Sequence, residues 1–391
     1  MVKQNKPKLI RVTTIALALD KLLENQLSYM STFFDVTIVS SPKKELQRIA
    51  KKEGVRYHLI EMTRRITPFK DFVSLIQMYF FLRKEKPQII HSHTPKAGLI
   101  SMMAAFFARV PIRIHTVAGL PLLEAVGMKR VLLNFVEKLT YNMATKVYPN
   151  SFGLRDIIYE QNYAPIEKVK VLGRGSSNGI DTDYFDPELF DSFQNAKKRK
   201  SLNIEQNTFV LIFVGRIVKD KGINELLWVF DQISKENHNC KLLLIGSFEK
   251  DLDPISKESE SILKNNNKIL SIGYKQDVRP YFAISNLLCF PSYREGFPNV
   301  VLQAGAMNVP AIVSNINGCN EIIKDHENGL IIQVKDKKAL HDAILSVILS
   351  RSEGVEQFKN MRNVITENYS QQFIWKEILN EYNYLLEKEN V

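Results

Sequence analysis

A chain of 391 residues is too long for one ordinary core and predicts two domains, each large enough to fold alone. Hydrophobic residues at 45% and charged residues at 24% are soluble-globular values, which exclude a disordered or fibrous chain. The formal net charge of +11 favours anionic partners (nucleotides, phospholipids or nucleic acid), although lysines scattered over helical faces describe a solvated surface equally well.

Cys240, Cys289 and Cys319 are widely spaced and odd in number; they suggest neither a disulfide framework nor a zinc site, and fit a reducing cytoplasm. The basic start MVKQNKPKLIRVTT leads into a strand-like run, so no signal peptide is read. The most apolar long stretch, Ala97 to Phe107, is far short of the roughly 20 residues that span a bilayer. Any membrane contact is therefore expected to be peripheral.

In chain order, Lys8 to Thr14 predicts a strand, followed by a helix through about Met30 and a second strand at Asp35 to Ser40. Strands and helices then alternate through Val55–Ile60, Asp71–Glu85, Gln88–His93, Ala97–Arg109, Ile112–Val117, Leu133–Met143 and Lys146–Pro149. Between Asn178 and Asn203 the pattern breaks into a polar, turn-rich stretch read as the inter-domain linker. Alternation resumes with strands at Thr208–Val214, Lys241–Ile245, Lys268–Ile272, Leu287–Phe290 and Ala311–Ser314. This is an α/β pattern of two doubly wound, Rossmann-like domains whose strand C-termini surround a central cleft. The domains are placed at 1–185 and 186–371, with a C-terminal helix in 372–391, carrying Trp375, packing back on the first.

Several stretches have the makings of chemistry. In PSYREGFPNVVLQAGAMNVP, Glu295 precedes Gly296, Phe297 and Pro298, and an apolar-periodic run starts at Asn299, read as an N-cap. Free helix N–H groups beside one carboxylate suit a nucleotide diphosphate with an attached sugar, though many such turns are only structural. Gly215-Arg216 closes an apolar strand and Lys221-Gly222 opens a helix; a guanidinium and an ammonium there would hold a departing diphosphate, or form an exposed basic loop. Gly246 and Gly273 end two further strands, where backbone can admit a base or ribose, or make a turn. His91 and His93 share one strand face at roughly 7 Å, and suit acceptor contact or strand-end packing better than metal. No GxGxxG follows the first strand and no GxxxxGK[ST] occurs, which weakens dehydrogenase and P-loop readings. Asp181-Thr-Asp183 and Asp251-Leu-Asp253 have the spacing of a metal–nucleotide site, but lie in turn-like sequence, and metal is not expected. No stripe of interleaved basic and aromatic residues points to nucleic acid.

With these residues in view, the chain resembles the retaining glycosyltransferases of the GT-B fold, family 4. The resemblance rests on FVGRIVKDKG (213–222), PSYREGFPNVVLQA (291–304), GCNEIIKDHENGL (318–330) and SSNGIDTDYFDP (176–187). HSHTPKAG and RIHTVAGLP look like the bacterial members that build capsule, exopolysaccharide or O-antigen on a lipid carrier. The family implies that Arg216 and Lys221 hold the donor diphosphate and that Glu295 contacts the donor sugar. It also implies donor contacts from Gly296, Phe297, Pro298, Asn299 and Gln303, to which the strand-end glycines Gly215, Gly246 and Gly273 are added as donor-binding candidates. Gln303 stands where the family has the second glutamate of its E-x7-E motif; it can hydrogen-bond ribose but carries no charge. Ala118 stands where members commonly have a histidine before Gly119, so acceptor-side residues are placed at Thr14, His93, Lys96 and His115.

The activity implied is transfer of a hexosyl unit, with retention and without metal or cofactor, from a UDP-linked sugar to a polyprenyl-diphosphate-linked saccharide. The leaving phosphate would take the acceptor's proton. The setting implied is the cytoplasmic face of the plasma membrane, with an anionic lipid surface as a partner and the basic, apolar stretch Met128 to Lys146 as its contact. The alternatives are a UDP-sugar 2-epimerase of related fold and a non-catalytic basic membrane-associated binding protein.

Overall fold

The computed structural model describes residues 6–390, apart from 64, 121, 123–124, 237, 250–252, 351–357 and 359–360. The chain divides into two units, 1–178 with 371–391, and 179–370.

The first unit is built on six strands: β1 (Lys8–Val12), β2 (Asp35–Ser40), β3 (Arg56–Leu59), β4 (Ile89–Ser92), β5 (Ile112–Val117) and β6 (Lys146–Pro149). All pairs are parallel, in the order β3-β2-β1-β4-β5-β6. Sequence explains position in the sheet: β4 (IIHS) is buried throughout, whereas β3 (RYHL) exposes Arg56 and Tyr57 and takes an edge. Helices Pro68–Glu85 and Gly127–Met143 both pack against Pro95–Ala108.

The second unit repeats the plan with β7 (Phe209–Val214), β8 (Cys240–Ile245), β9 (Ile269–Ser271), β10 (Leu287–Phe290), β11 (Ala311–Ser314) and β12 (Gly329–Ile332). Its order is β12-β11-β10-β7-β8-β9, again parallel. The apolar run FVLIFV of β7 lies between β10 and β8, as a strand covered on both faces should. In each unit the chain leaves a central strand in one direction and returns on its other side. The resulting switch points fall between β1 and β4, and between β7 and β10.

Residues 178–203 are not a linker. Ile180 N–H donates to Tyr369 O (2.8 Å), and Arg362 reaches the carbonyls of Thr182 (3.1 Å) and Phe185 (2.8 Å), which ties 179–185 to the second unit. Asp191 and Gln194 form a capping box that starts a helix at Ser192–Ser201. The polar composition there belongs to a surface helix.

Helix Gln371–Lys388 closes the first unit over a buried polar cluster. Arg11, fully buried on β1, donates from Nε to His93 Nε2 (3.0 Å), from Nη1 to Tyr382 Oη (3.1 Å) and from Nη2 to Gln26 Oε1 (2.5 Å). Trp375 Nε1 and Gln26 Nε2 both donate to Asn178 Oδ1, at 2.7 and 2.9 Å. No carboxylate pairs with Arg11 among the described residues, so neutral dipoles alone stabilise its charge. His93 must therefore stay neutral, with its proton on Nδ1, because a protonated Nε2 could not accept from Arg11.

Burial, then the neighbouring His93 and Arg11, holds His91 well below the usual histidine range, and burial beside Arg11 does the same for His93. Burial pushes His115 down to about 4 and the Glu137 carboxyl up to about 7. A depressed histidine contributes stability at neutral pH that is lost as pH falls from about 6.5 towards its folded value. For His115 this amounts to roughly 3 kcal/mol. Glu137 works in the opposite sense, regaining roughly 3 kcal/mol as pH falls from 7 to 4.5, and so offsets one histidine of the three. The urea midpoint should drop between pH 6.5 and 4.5, and drop further in Glu137→Gln; a midpoint that is flat or rises on acidification contradicts this.

Candidate functional site

The second unit's candidate residues come from the ends of four adjacent strands. β7 ends at Val214 and delivers Gly215-Arg216, then a short 3-10 turn, Lys219–Lys221. β8 delivers Gly246, β9 Gly273, and β10 the stretch from Pro291 to Asn299. The β7 and β10 loops leave on opposite sides of the switch point, and two contacts tie them: Tyr293 N–H donates to Asp220 O (2.8 Å), and Lys221 forms an ion pair with Glu295. That pair is mostly enclosed, with side-chain exposures of 13% and 17%, and Ser292 Oγ lies 3.1 Å from Glu295 Oε1. Both groups are therefore fixed in direction, and removing either one would leave the other enclosed and unpaired.

Arg216 is more open, at 47% side-chain exposure. Its Nη1 donates to Glu249 Oε2 (2.8 Å), and its Nη2 lies 3.8 Å from Asp220 Oδ2. Partial burial works against its charge, but the bond to Glu249 and the charges of Glu249, Asp220 and Glu295 outweigh that, and its pKa is raised. Asp220 also accepts from Arg294 Nη2 (3.0 Å); burial, and then the bond that Tyr293 Oη donates to Glu225 Oε2 (2.7 Å), lift that phenol's pKa above its usual value.

After Glu295, Gly296 leads to Phe297, which packs against Tyr369 (5.5 Å between ring centroids), and then into helix Asn299–Ala306. Its N-cap is Pro298, not Asn299; Asn299 is the first helical residue and makes no capping bond. The N–H groups of Asn299 and Val300 open the helix without intrahelical acceptors, which leaves a local positive end beside the Lys221–Glu295 pair. Gln303 lies one turn further, half-buried, and hydrogen-bonds no described side chain. The structure thus brings Gly215, Arg216, Lys221, Glu295 and the 296–299 turn to one end of one sheet. Two clamped cations beside a helix start have the chemistry to hold an anion, and a carboxylate among them can accept from hydroxyls.

The four acceptor-side candidates lie in the first unit, and they do not form an open site. Thr14 Oγ1 bonds Thr94 Oγ1 (2.7 Å) and accepts from Ala97 N–H (3.3 Å), so it stitches β1's loop to the start of helix Pro95–Ala108 across the other switch point. Lys96 pairs with Asp71 (2.7 Å). His91 and His93, expected roughly 7 Å apart, have ring centroids only 4.2 Å apart and are both buried, His91 between Thr116 Oγ1 (2.7 Å) and Tyr382 Oη (2.5 Å). His115 bonds Ser92 Oγ (2.8 Å) and lies so close to Gly98 that a Cβ there would fall 2.4 Å from its Cε1. Strand-end packing, rather than presentation to a ligand, describes both His93 and His115.

Of the paired aspartates, Asp181 Oδ1 accepts from the N–H groups of Asp183 (3.1 Å) and Tyr184 (2.9 Å) in a turn. Asp253 Oδ2 accepts from Asp220 N–H (2.7 Å), while Asp251 is outside the described residues. Sequence reasoning missed Glu249, Asp220 and Arg294. Only Asp220, four residues after Arg216, had a local signal in the sequence.

Comparison with known proteins shows the family and the fold. The family model described as glycosyl transferases group 1 matches residues 194–370, and the model described as glycosyl transferase 4-like domain matches 26–175. The capsular polysaccharide biosynthesis glycosyltransferase CapM of Staphylococcus aureus is 37% identical, across 97% of this chain and 98% of that protein. The UDP-Gal:alpha-D-GlcNAc-diphosphoundecaprenol alpha-1,3-galactosyltransferase of Escherichia coli is 26% identical, across 93% and 91%. The crystal structure of Anabaena HepE in complex with UDP matches with a TM-score of 0.81 at 15% identity, over 96% of this chain and 100% of that one; this is a likeness of fold.

One backbone position tests the geometry directly. A Cβ on Gly246 would fall 1.7 Å from the carbonyl oxygen of Gly215, whereas one on Gly273 meets nothing within 4 Å. Gly246→Ala should lower unfolding free energy by roughly 2 kcal/mol or more, through forced separation of the β7 and β8 ends. Gly273→Ala should cost only about 1 kcal/mol, for its left-handed backbone. Urea denaturation of both variants checks this; equal losses would contradict it.

Proposed function

The chain belongs to the glycosyltransferases of group 1, with a type-4-like first domain and the GT-B fold, and from that membership we propose that it moves a hexosyl unit from a UDP-sugar to a polyprenyl-diphosphate-linked saccharide. Retention of anomeric configuration, independence of metal and a place in surface-polysaccharide assembly are parts of the same reading. The observation that carries it is the pair of cations, Arg216 and Lys221, held beside Glu295 and the start of helix Asn299–Ala306 at the β7/β10 switch point. The galactosyltransferase relative, whose name gives a UDP-sugar and a diphosphoundecaprenol-linked acceptor, and the UDP bound by HepE support the choice of donor and acceptor class, and CapM supports the place in surface-polysaccharide assembly.

The chemistry follows from charge. As the sugar C1–O bond breaks, its electron pair passes to the β-phosphate, and negative charge grows on the diphosphate. Arg216, Lys221 and the amides of Asn299 and Val300 stabilise that growing charge, a contribution made in full only at the transition state. Glu295 holds the donor sugar's hydroxyls, and Gln303 bonds the ribose as a neutral partner. The acceptor hydroxyl bonds to C1 on the face the phosphate leaves, and its proton passes to a phosphate oxygen. No dedicated base is needed. The acceptor is assigned to the first unit. Its enclosed His93 and His115 then act by shaping the β4 and β5 ends, and Thr14 and Lys96 by fixing the loops around them.

A lipid-linked acceptor places the protein at the cytoplasmic membrane surface, and two helices of the first unit support that. No described helix is long and apolar enough to cross a membrane. Helix Pro68–Glu85 exposes Phe69 (81%), Phe72 and Phe80 (65%), and helix Gly127–Met143 exposes Met128 (84%), Val131 and Phe135, each at helical spacing. Exposed Lys70, Lys129 and Lys138 accompany them, while Asp71 is taken up by Lys96 and Glu137 is buried. Apolar anchors with cations and few available carboxylates suit an anionic bilayer. The second of these helices overlaps the stretch 128–146.

Two tests follow. Across a panel of nucleotide sugars, Arg216→Ala or Lys221→Ala should lower turnover roughly 100-fold or more with the active donor; near-normal transfer, or epimer formed from donor alone, would overturn the reading. In flotation at low salt, the protein should bind phosphatidylglycerol vesicles, and Phe69→Ser/Phe72→Ser/Phe135→Ser should lose binding while keeping UDP affinity. No vesicle binding, or apolar self-association in its place, removes the membrane assignment.

A further inference from the structure

The charges around the proposed diphosphate site are already balanced. Arg216, Lys221 and Arg294 supply three cations, and Glu249, Asp220 and Glu295 supply three carboxylates within ion-pair distance of them. A diphosphate approaching that cluster meets cations that already have carboxylate partners. For it to bind the cations, a carboxylate has to give way.

The three carboxylates are not equally free to do so. Asp220 is pinned through its backbone, with N–H donating to Asp253 Oδ2 (2.7 Å) and O accepting from Tyr293 N–H (2.8 Å), and its side chain lies near both Arg216 and Arg294. Glu295 is enclosed with Lys221 and bonded by Ser292. Glu249 is the most exposed of the three side chains, at 30%, and Arg216 is its single side-chain partner among the described residues. It extends from the loop after β8, which is registered against the Arg216 loop just upstream by Ile217 N–H donating to Ser247 O (2.8 Å). The backbone thus keeps Glu249 within reach of Arg216, while its own side chain can turn away.

We infer that Glu249 is a built-in counter-ion: it occupies Arg216 in the empty enzyme, gives Arg216 up to the donor's diphosphate, and takes it back as the nucleotide leaves. The exchange has two consequences. Arg216 is held extended and oriented before the donor arrives, instead of searching rotamers in water. Release of the nucleoside diphosphate, which carries more charge than the bound donor did, is assisted by a carboxylate that the backbone keeps within reach of the cation it competes for. Glu249 is therefore a positioning residue that sets nucleotide affinity; it is assigned no contact with the reacting atoms.

This inference rests on the reading of Arg216 as a diphosphate ligand, and the test separates the two. Titration calorimetry of UDP into the full-length protein should show Glu249→Gln binding UDP roughly three- to fivefold more tightly than the parent, because the competitor loses its charge at a partly exposed pair while its shape is kept. The donor KM should fall with it and kcat should not rise. In an Arg216→Ala background, Glu249→Gln should change UDP affinity by no measurable amount. Unchanged or weaker UDP binding in Glu249→Gln, with Arg216→Ala itself weakening UDP tenfold or more, overturns the counter-ion role alone. UDP affinity unaffected by Arg216→Ala overturns the diphosphate reading and the inference with it. Urea midpoints of the variants, matched to the parent's, show that folding is not the cause.

Discussion

The ion pair between Lys221 and Glu295 is the contact on which the proposed donor site depends. It joins two loops, from β7 and β10, that the topology sends in opposite directions, at the one place where a doubly wound sheet leaves a crevice. Pairing holds an ammonium that would otherwise move freely on a four-carbon stem, and it sets a carboxylate beside the start of helix Asn299–Ala306. Everything proposed for the donor, from phosphate grip to sugar contact, needs those two loops held in register. The Tyr293 to Asp220 backbone bond and the Asp220 contact with Arg294 reinforce the same seam.

The first unit has the same topology and a different chemistry at its switch point. There the β1 and β4 loops are joined by neutral groups, Thr14 to Thr94, and the polar cluster behind them carries a cation, Arg11, supported by His93, Tyr382 and Gln26 without a carboxylate. Such a cluster is costly unless every partner stays in place, so it orders the unit and binds the C-terminal helix to its own sheet. At the second unit's switch point the cations are paired with carboxylates, and Arg216 is partly open to solvent; at the first unit's, the cation is fully enclosed among neutral groups.

The gathering of Arg216, Lys221 and Glu295 at one end of the second sheet was legible because the signals that place them on strand ends are local. A glycine-arginine pair closing an apolar strand, a lysine five residues on, and a glutamate before a turn and helix each reveal their place within one short stretch of sequence. Glu249 was not legible: it lies 33 positions from Arg216, and nothing near it marks it as a partner. The histidines show a second limit. Alternation puts His91 and His93 on one face, but only the packing of Tyr382 from the far end of the chain shows that this face is covered. The stretch 178–203 was misread because polar composition is shared by linkers and surface helices; the Asp191–Gln194 capping pair was the sign that separated them.

The central claim is that Arg216 and Lys221 together hold a nucleotide diphosphate at the β7/β10 switch point. Phosphorus NMR of UDP titrated into the full-length protein, without added metal, tests it most directly. Both phosphate resonances should shift and broaden with saturable dependence on protein, and the response should collapse when Arg216 and Lys221 are both replaced by alanine. Resonances that stay at their free positions, or that respond equally to the doubly substituted protein, would contradict the account.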